Sequence, residues 1–266
     1  MKIDDAIVTT GYRGHRWQAE NVALAKETAE RLGLPYEVRG HEALDAMRER
    51  TGAKYILVAK ERKLFLETEE GELFFHPNMA HLRIKNLRFG NTGDRMIEAM
   101  GLKSGMTVLD CTLGLGADAI VASYVAGPTG QVTALESNPL TEAVIHAGMR
   151  HFTAENARIE AAVRQIQTHA ADALTFLREQ EDRSFDVIYF DPMFRHPLRA
   201  SHSLDPLRLV ADRRPLTTEL ITEARRVARF RVVMKENSRS GEFERLGFPE
   251  ITGGKYSKVH YGVIHI

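Results

Sequence analysis

Cysteine is almost absent from this sequence, with Cys111 the only one among 266 residues. A single cysteine excludes an internal disulfide and fits a reducing compartment. The chain also lacks an excess of charge of either sign, because 36 basic residues balance 36 acidic ones. Global electrostatic attraction to a polyanion is therefore excluded, and any contact with nucleic acid must depend on local patches.

Long apolar runs are missing as well. No segment approaches the roughly 20 apolar residues that span a bilayer, and the first residues lack the pattern of a signal peptide. The eleven histidines show no spacing typical of metal ligands. We therefore expect a cytoplasmic protein that has no membrane contact and no metal, while its oligomeric state is not predicted.

The patterns that are present divide the chain into three parts. Residues 1–77 read as a small α+β domain, with short strands that include one at 35–38. Residues 78–105 read as a basic linker followed by a helix at 92–100. Residues 106–266 alternate strands and helices at a pitch typical of a doubly wound parallel sheet, and they end in an antiparallel hairpin at 255–258 and 259–266. The predicted fold class is therefore α/β.

A glycine turn begins this alternating part. The apolar run from Thr107 ends at Asp110, and Gly114 and Gly116 follow before a helical pattern starts. The turn fits the loose G-x-G-x-x-G/A pattern, in which the backbone approaches a ligand at a helix N-terminus. The match alone is equally typical of a plain strand-to-helix turn, and its place between a strand and a helix strengthens it.

Asp110 indicates which ligand the turn binds. In dinucleotide enzymes the strand leads almost directly into the first glycine, which receives a pyrophosphate. Here a carboxylate precedes that glycine by four residues, and a carboxylate suits an ammonium or sulfonium cation. S-adenosylmethionine carries both cations and no phosphate. It is therefore favoured over NAD, and we assign Asp110, Gly114, Gly116 and Asp118 to its site.

Two further acids follow the next strands. Glu136 ends the second strand, where a carboxylate accepts hydrogen bonds from both ribose hydroxyls; the alternative is an ordinary acid at a helix start. Asp172 closes the third strand, where it would receive the adenine amino group or cap the following helix. Both roles of Asp172 remain open.

The stretch Asp191-Pro192-Met193-Phe194 follows another apolar strand. An exocyclic base amine is a poor nucleophile because its lone pair is delocalised into the ring. Hydrogen bonds from that amine to the Asp191 carboxylate and the Pro192 carbonyl would localise the lone pair, while Phe194 stacks on the base. The alternative is a simple Asp-Pro turn. We predict that these three residues are catalytic.

Basic residues near these motifs bear on nucleic acid. Lys235 ends the fifth strand and either touches substrate or is solvated. Clusters of arginine and lysine lie on both sides of the predicted site and would neutralise phosphates, although such runs are also typical of a solvated surface. The two flanking clusters are Arg83, Lys85 and Arg88, and Arg195, Arg199, Arg208, Arg213 and Arg214. A third cluster, Arg225, Arg226, Arg229 and Arg231, is partly a helix C-terminus, where cations are favoured in any case.

From about Tyr55 to the C-terminus, the chain resembles the ribosomal small-subunit methyltransferase J family. The resemblance is carried by the segments 80–83, 89–93, 110–119, 136–139 and 191–194. The family pattern Asp-Pro-Met-Phe is matched without change. The sequence departs from the family at Ala117 and Ser137, where the family has arginine, and after Lys235, where Glu-Asn-Ser replaces Arg-Pro-Asp.

The resemblance implies a Rossmann-like class I fold and S-adenosylmethionine-dependent methylation of guanine N2 in small-subunit ribosomal RNA. It also implies cofactor contacts at Ala117, Asp118, Glu136, Ser137, Ala171, Asp172 and Asp191. Methylation of DNA, of a protein or of a small amine is an alternative. An NAD-linked oxidoreductase and a non-enzymatic RNA-binding protein with a relic cofactor site are two further alternatives.

Overall fold

A computed structural model describes residues 5–12, 17–90, 93–192, 207 and 210–266. Their contacts form two compact units. The first contains the described residues of Met1–His76, Asn138–Phe152 and Ser201–Ala211. The second contains those of Pro77–Ser137, Thr153–Ala200 and Asp212–Ile266. The units are discontinuous in sequence, unlike the predicted domains, so the domain limits remain a prediction.

The described residues contain strands and helices with the following bounds. The strands are β1 (Ala6–Thr10), β2 (Tyr55–Lys60), β3 (Lys63–Thr68), β4 (Gly71–Phe74), β5 (Thr107–Asp110), β6 (Gln131–Glu136), β7 (Gln167–Ala170), β8 (Phe185–Phe190), β9 (Ala228–Asn237), β10 (Glu250–Gly253) and β11 (Val259–His265). The helices are α1 (Gln18–Leu32), α2 (Leu44–Thr51), α3 (Asn78–Phe89), α4 (Arg95–Met100), α5 (Ala117–Ala126), α6 (Pro139–Arg150), α7 (Ala157–Arg164), α8 (Ala173–Arg178), α9 (Thr218–Val227) and α10 (Glu242–Arg245). Within the described ranges, no helix combines the length and apolar character needed to cross a bilayer.

The first unit is built on a four-stranded sheet in the order β1-β2-β3-β4. Strands β1 and β2 are parallel, and the other neighbours are antiparallel. Its core includes Ile7, Met47 and Ile56. Helix α6 packs against β3 and β4, which places it in this unit. The strand predicted at 35–38 is wrong, because only a single bridge between Tyr36 and Val8 forms there.

The second unit contains a seven-stranded sheet in the order β10-β11-β9-β8-β5-β6-β7. Strands β7, β6, β5, β8 and β9 are parallel, whereas β11 is antiparallel to both β9 and β10. The predicted α/β class, with a doubly wound sheet and a C-terminal antiparallel pair, is confirmed. From β5 the chain continues to β6 and β7 on one side of the sheet, and it then crosses to β8 and β9 on the other side. The sheet therefore has its topological switch point at β5.

Apolar strands explain why this sheet forms. Strands β5 and β8 are buried along almost their whole length, as expected where helices cover both faces of a parallel sheet. Helix α9 buries Leu220, Ile221, Ala224 and Val227 on one face, and this spacing of three or four residues fits a helix that packs against a sheet.

Several elements differ from the sequence predictions. The predicted basic linker contains helix α3, whose Ala80 and Ile84 are buried one turn apart; the surrounding charges obscured this short apolar stripe. Helices α7 and α10 were not predicted. The first strand of the C-terminal pair lies at Glu250–Gly253, where it pairs with β11, rather than at 255–258.

Candidate active site

Three acidic side chains meet at the carboxyl edge of the seven-stranded sheet. Asp110 is the last residue of β5, Glu136 is the last residue of β6, and Asp191 follows β8 directly. Strand β5 lies between β6 and β8, so these three ends are neighbours. Ligands of doubly wound sheets bind in the crevice at such a switch point.

Thr112 connects two of these strand ends. Its hydroxyl donates to Asp110 Oδ1 at 3.2 Å and accepts the Asp191 backbone N–H at 2.6 Å. Its own backbone N–H donates to the same Oδ1 at 2.9 Å. Thr112 therefore holds one oxygen of Asp110 and the start of the loop after β8. The sequence analysis gave it no role, although a threonine two residues after a strand-end acid was a usable signal.

Asp110 has the chemistry expected for binding a cation. It is only 2% exposed, and its second oxygen, Oδ2, has no hydrogen-bond partner among the described residues. Burial raises the pKa of Asp110 to about 7, although the bonds from Thr112 oppose that shift. A buried carboxylate with an orphaned oxygen is stabilised by a positively charged ligand group. Asp110 therefore fits the ammonium or sulfonium group of S-adenosylmethionine.

The glycine turn lies beside Glu136. Gly114 and Gly116 have φ values of +50° and +78°, a region that side chains with a Cβ rarely adopt. The Gly114 N–H donates to Glu136 Oε2 at 3.2 Å, and α5 then begins at Ala117. The structure thus brings the predicted turn and the predicted ribose acceptor together at one edge.

Asp118 is held by protein side chains. Its Oδ1 pairs with Arg83, and its Oδ2 accepts from Tyr189 at 2.8 Å and from Lys235 at 3.1 Å. Burial opposes ionisation of Asp118, but Lys235 and Arg83 outweigh it and hold its pKa well below the usual range. Both oxygens of Asp118 are thus engaged by protein groups, and its contact with the cofactor remains a prediction.

Asp172 caps helix α8. Its Oδ1 accepts the backbone N–H groups of Leu174 and Thr175, both at 3.1 Å, and its Oδ2 pairs with Arg214 at 2.9 Å. The capping role, one of the two that the sequence allowed, is therefore observed. Its contact with adenine remains a prediction.

Two residues assigned to the cofactor through the family resemblance lie near the end of β6. The Ala171 N–H is already bonded to the Glu136 carbonyl at 3.0 Å. Ser137 is exposed just after β6. The backbone donor of Ala171 is thus used in the sheet, and any contact with a ligand must involve its other atoms. Both assignments remain predictions.

Lys235 lies between two carboxylates. Its Nζ is 2.7 Å from Asp191 Oδ2 and 3.1 Å from Asp118 Oδ2, and the two carboxylates hold the pKa of Lys235 above its usual value despite its burial. The sequence left this residue open between substrate contact and solvation, and the structure supports neither directly. Pro192 directly follows Asp191, and its catalytic role remains a prediction. Phe194 lies outside the described residues.

Arg83 is the residue whose contacts differ most from its predicted role. It was assigned to a phosphate-binding cluster, but its guanidinium forms two bonds with Asp94, at 2.7 and 2.9 Å, and also pairs with Asp118. Lys85 and Arg88, the other members of that cluster, are exposed on α3. Arg195, Arg199 and Arg208 lie outside the described residues.

The charge of the site suits a cationic cofactor. Among the described residues, Asp110, Asp118 and Asp191 share one edge with two cations, Arg83 and Lys235, and Arg83 is also shared with Asp94. Within this described set, the carboxylates exceed the cations. A ligand with a sulfonium and an ammonium group would reduce this excess, whereas a pyrophosphate would increase it.

Comparisons with known proteins agree with this geometry. A profile of the SAM_MT family, described as SAM-dependent methyltransferases, matches residues 42–247. The uncharacterized protein YpiP of Bacillus subtilis is 36% identical over 258 residues, which are 97% of this chain and 98% of YpiP.

Two proteins named ribosomal RNA small subunit methyltransferase J are also similar. The one from Stutzerimonas stutzeri is 29% identical over 231 residues, or 80% of each chain. The one from Hahella chejuensis is 26% identical over 281 residues, covering 96% of this chain and all of that protein. Among solved structures, a SAM-dependent methyltransferase from Neisseria gonorrhoeae matches with a TM-score of 0.63 at 19% identity, covering 98% of this chain and 95% of that one. This last match shows the fold alone.

Proposed function

This chain belongs to the SAM_MT family of SAM-dependent methyltransferases, and from that premise we propose that it methylates an exocyclic amine of an RNA base. Guanine N2 in small-subunit ribosomal RNA is the first candidate. The relatives named ribosomal RNA small subunit methyltransferase J support an RNA substrate. One observation carries the proposal: Asp191 and Pro192, directly after β8, lie next to Asp110 at the end of the neighbouring strand β5.

The cofactor is S-adenosylmethionine, which supplies an electrophilic methyl group on a sulfonium. Asp110 would hold a cationic group of the cofactor through Oδ2. The turn at Gly114 and Gly116 would allow close backbone approach, and Glu136 would accept the ribose hydroxyls. These roles follow from the orphaned oxygen of Asp110, the positive φ values of the two glycines and the Glu136 carboxylate beside Gly114.

Asp191 and Pro192 would hold the acceptor amine. One amine hydrogen would bond to Asp191 Oδ1, to which no described residue is bonded, and the other to the Pro192 carbonyl. These bonds would keep the nitrogen lone pair out of the ring and direct it at the methyl group. Most of the rate enhancement would then come from positioning and electrostatics, without a covalent intermediate on the protein.

The RNA chain would lie along α3 and α4. Lys85 and Arg88 are exposed on α3, and the Arg88 guanidinium lies 5.9 Å from the ring centroid of Phe89, which is 63% exposed. Exposed cations beside an exposed aromatic ring suit phosphates and a stacked base. This surface replaces the basic cluster predicted from sequence, since Arg83 is engaged elsewhere.

An open cavity lies next to this surface. Its volume of about 390 Å³ is enough for a nucleotide. It is lined by Arg83, Asn86, Leu87, Gly93, Asp94, Arg95 and Tyr261. Within the described ranges, the Arg95 guanidinium forms no ion pair, and it lies so close to Gly254 that a Cβ there would collide with it. We propose that Arg95 binds a phosphate of the RNA in this cavity.

The direct test is transfer of a radiolabelled methyl group to small-subunit RNA from cells that lack this gene, followed by identification of the labelled nucleoside. We expect an N-methylated base with the wild-type protein. Asp191→Asn and Asp191→Ala should each lower kcat about 100-fold or more, with S-adenosylhomocysteine binding retained. Label in DNA or protein but not in RNA would overturn the proposed substrate, and full activity of Asp191→Ala would overturn the mechanism.

The phosphate assignment has its own test. Arg95→Glu should raise KM for RNA about tenfold or more and reduce the salt dependence of RNA binding, because one phosphate contact is lost. The matched control is Arg225→Glu, because Arg225 is exposed in the last turn of α9, just before the amino end of β9 and at the opposite edge of the sheet. Equal effects of the two substitutions would contradict a specific contact at Arg95.

A further inference from the structure

The two oxygens of Asp191 have different surroundings. Oδ2 accepts from Lys235 Nζ at 2.7 Å, whereas no described residue is bonded to Oδ1. The Asp191 backbone N–H is fixed by the Thr112 hydroxyl at 2.6 Å. Among the described residues, the Asp191 group is thus held at its backbone and at one carboxylate oxygen, and no bond is made to its other oxygen.

Lys235 is itself held in place by a protein network. Asp118 accepts from Lys235 at 3.1 Å and is fixed by the Tyr189 hydroxyl at 2.8 Å and by Arg83. Arg83 is in turn bonded twice to Asp94. The Lys235 side chain is only 21% exposed. The contacts therefore lead from Arg83 on α3 and Asp94 before α4 to Asp118 on α5. From there they continue to the Lys235 ammonium group on β9 and end at Asp191.

On the basis of the proposed function, we propose that Lys235 is a positioning residue, which fixes Asp191 by binding its Oδ2 and so directs Oδ1 at the acceptor amine. The ammonium group also keeps Asp191 as a carboxylate, the form that accepts a hydrogen bond from an amine. Lys235 touches neither the amine nor the methyl group in this arrangement. It acts through Asp191, and Asp118 sets its position.

The charged groups around Asp191 determine what removal of Lys235 would do. Burial raises the pKa of Asp191 to about 6, and the nearby Asp118 carboxylate adds to that rise, while Lys235 lowers it. Asp110 and Tyr189 also face this edge of the sheet, while Arg83 is bonded to Asp118, and Tyr261 lies opposite Lys235 in the pairing of β11 with β9. Without Lys235, the charged group that remains beside Asp191 among the described residues is Asp118, which raises the pKa of Asp191. Asp191 would then be largely protonated near neutral pH.

The test compares Lys235→Met, Lys235→Gln and Lys235→Arg with the wild-type protein. The first readout is ¹³C NMR titration of the Asp191 carboxyl carbon in the ligand-free protein, assigned by its loss in Asp191→Asn. The midpoint should rise by about one unit or more in Lys235→Met and stay near the wild-type value in Lys235→Arg. Lys258→Met, at an exposed lysine before β11, is the control and should leave the midpoint unchanged.

The second readout is the pH dependence of methyl transfer. The acidic limb of kcat should move to higher pH in Lys235→Met by the same shift as the NMR midpoint, and Lys235→Arg should restore it. The affinity for S-adenosylhomocysteine should not fall, because the substitution removes a cation from the edge that binds the ammonium group of this ligand. Lys235→Gln provides the same comparison if Lys235→Met does not fold.

The outcomes separate this inference from the proposed function. Absence of RNA methylation by the wild-type protein would overturn the proposed function, whatever the variants do. An active wild-type protein whose Asp191 midpoint and pH profile are unchanged in the neutral variants would overturn the role of Lys235. Loss of activity in Lys235→Met with an unchanged pH profile and weaker S-adenosylhomocysteine binding would also overturn it, since that result indicates a purely structural defect.

Discussion

Asp110 is the residue whose surroundings point most clearly to a ligand. Its carboxyl group is buried, one oxygen is bonded to Thr112, and the other has no partner within the described ranges. Such a group is costly to ionise in the ligand-free protein. A bound cation would offset that cost. We therefore expect Asp110 to reduce the stability of the ligand-free protein and to promote binding of the cofactor.

Binding of the cofactor should therefore depend on pH. Burial raises the pKa of Asp110 to about 7, and the ammonium group of a ligand pairs with the ionised form. The affinity for S-adenosylhomocysteine should therefore rise about tenfold between pH 6 and pH 8, with release of a proton at the lower pH. Calorimetric titration in buffers of different ionisation enthalpy measures both effects. Asp110→Asn should bind weakly and without this pH dependence.

Asp110 should have the opposite effect on the stability of the ligand-free protein, which should fall as the pH rises. A raised pKa means that the folded protein binds a proton more tightly than the unfolded chain, so this contribution to stability is complete below about pH 4 and lost above about pH 7. Without ligand, Asp110→Asn should therefore unfold at a higher temperature than the wild type at pH 8, and the difference should shrink towards pH 5. A lower unfolding temperature at pH 8 would show that Asp110 is stabilised by groups other than a ligand.

At the scale of helices and strands, the site depends on where each strand ends. The acidic residues at the ends of β5 and β6 and directly after β8 were predicted from sequence, because each one ends an apolar run. The contacts of Asp118 were not predicted, because its partners Arg83 and Lys235 lie 35 and 117 residues away. Local periodicity carries no information about which side of α5 faces α3 and β9. The pattern therefore located the carboxylates but not the cations paired with them.

Helix α8 allows the two roles of Asp172 to be separated. Asp172→Ala should lower the free energy of unfolding by about 1 kcal/mol through loss of the helix cap, whereas Asp172→Ser should retain most of that stability. Because Asp172 already bonds α8 and Arg214, we expect S-adenosylhomocysteine affinity to change less than about threefold in Asp172→Ser. Denaturant unfolding and calorimetry measure the two quantities. A stable Asp172→Ser with a large loss of affinity would instead support the adenine contact.

At the scale of the whole molecule, the sheet order explains why these groups share one site. Residues 110, 136, 191 and 235 are far apart in sequence, and the parallel strands bring them to one edge. The class of fold was predictable from the alternation of strands and helices. The division into units was not, because α6 follows a strand of the second unit but packs against the sheet of the first. Tertiary packing of that kind leaves no local signal in the sequence.

In the proposed function, this sheet edge binds a methyl donor and presents it to an amine of an RNA base. The most direct measurement is mass spectrometry of the modified nucleosides in small-subunit ribosomal RNA from cells with and without the gene. We predict that one N-methylated nucleoside disappears in the deletion strain, and that the wild-type gene restores it while Asp191→Asn does not. An identical set of modified nucleosides in the two strains would contradict the account.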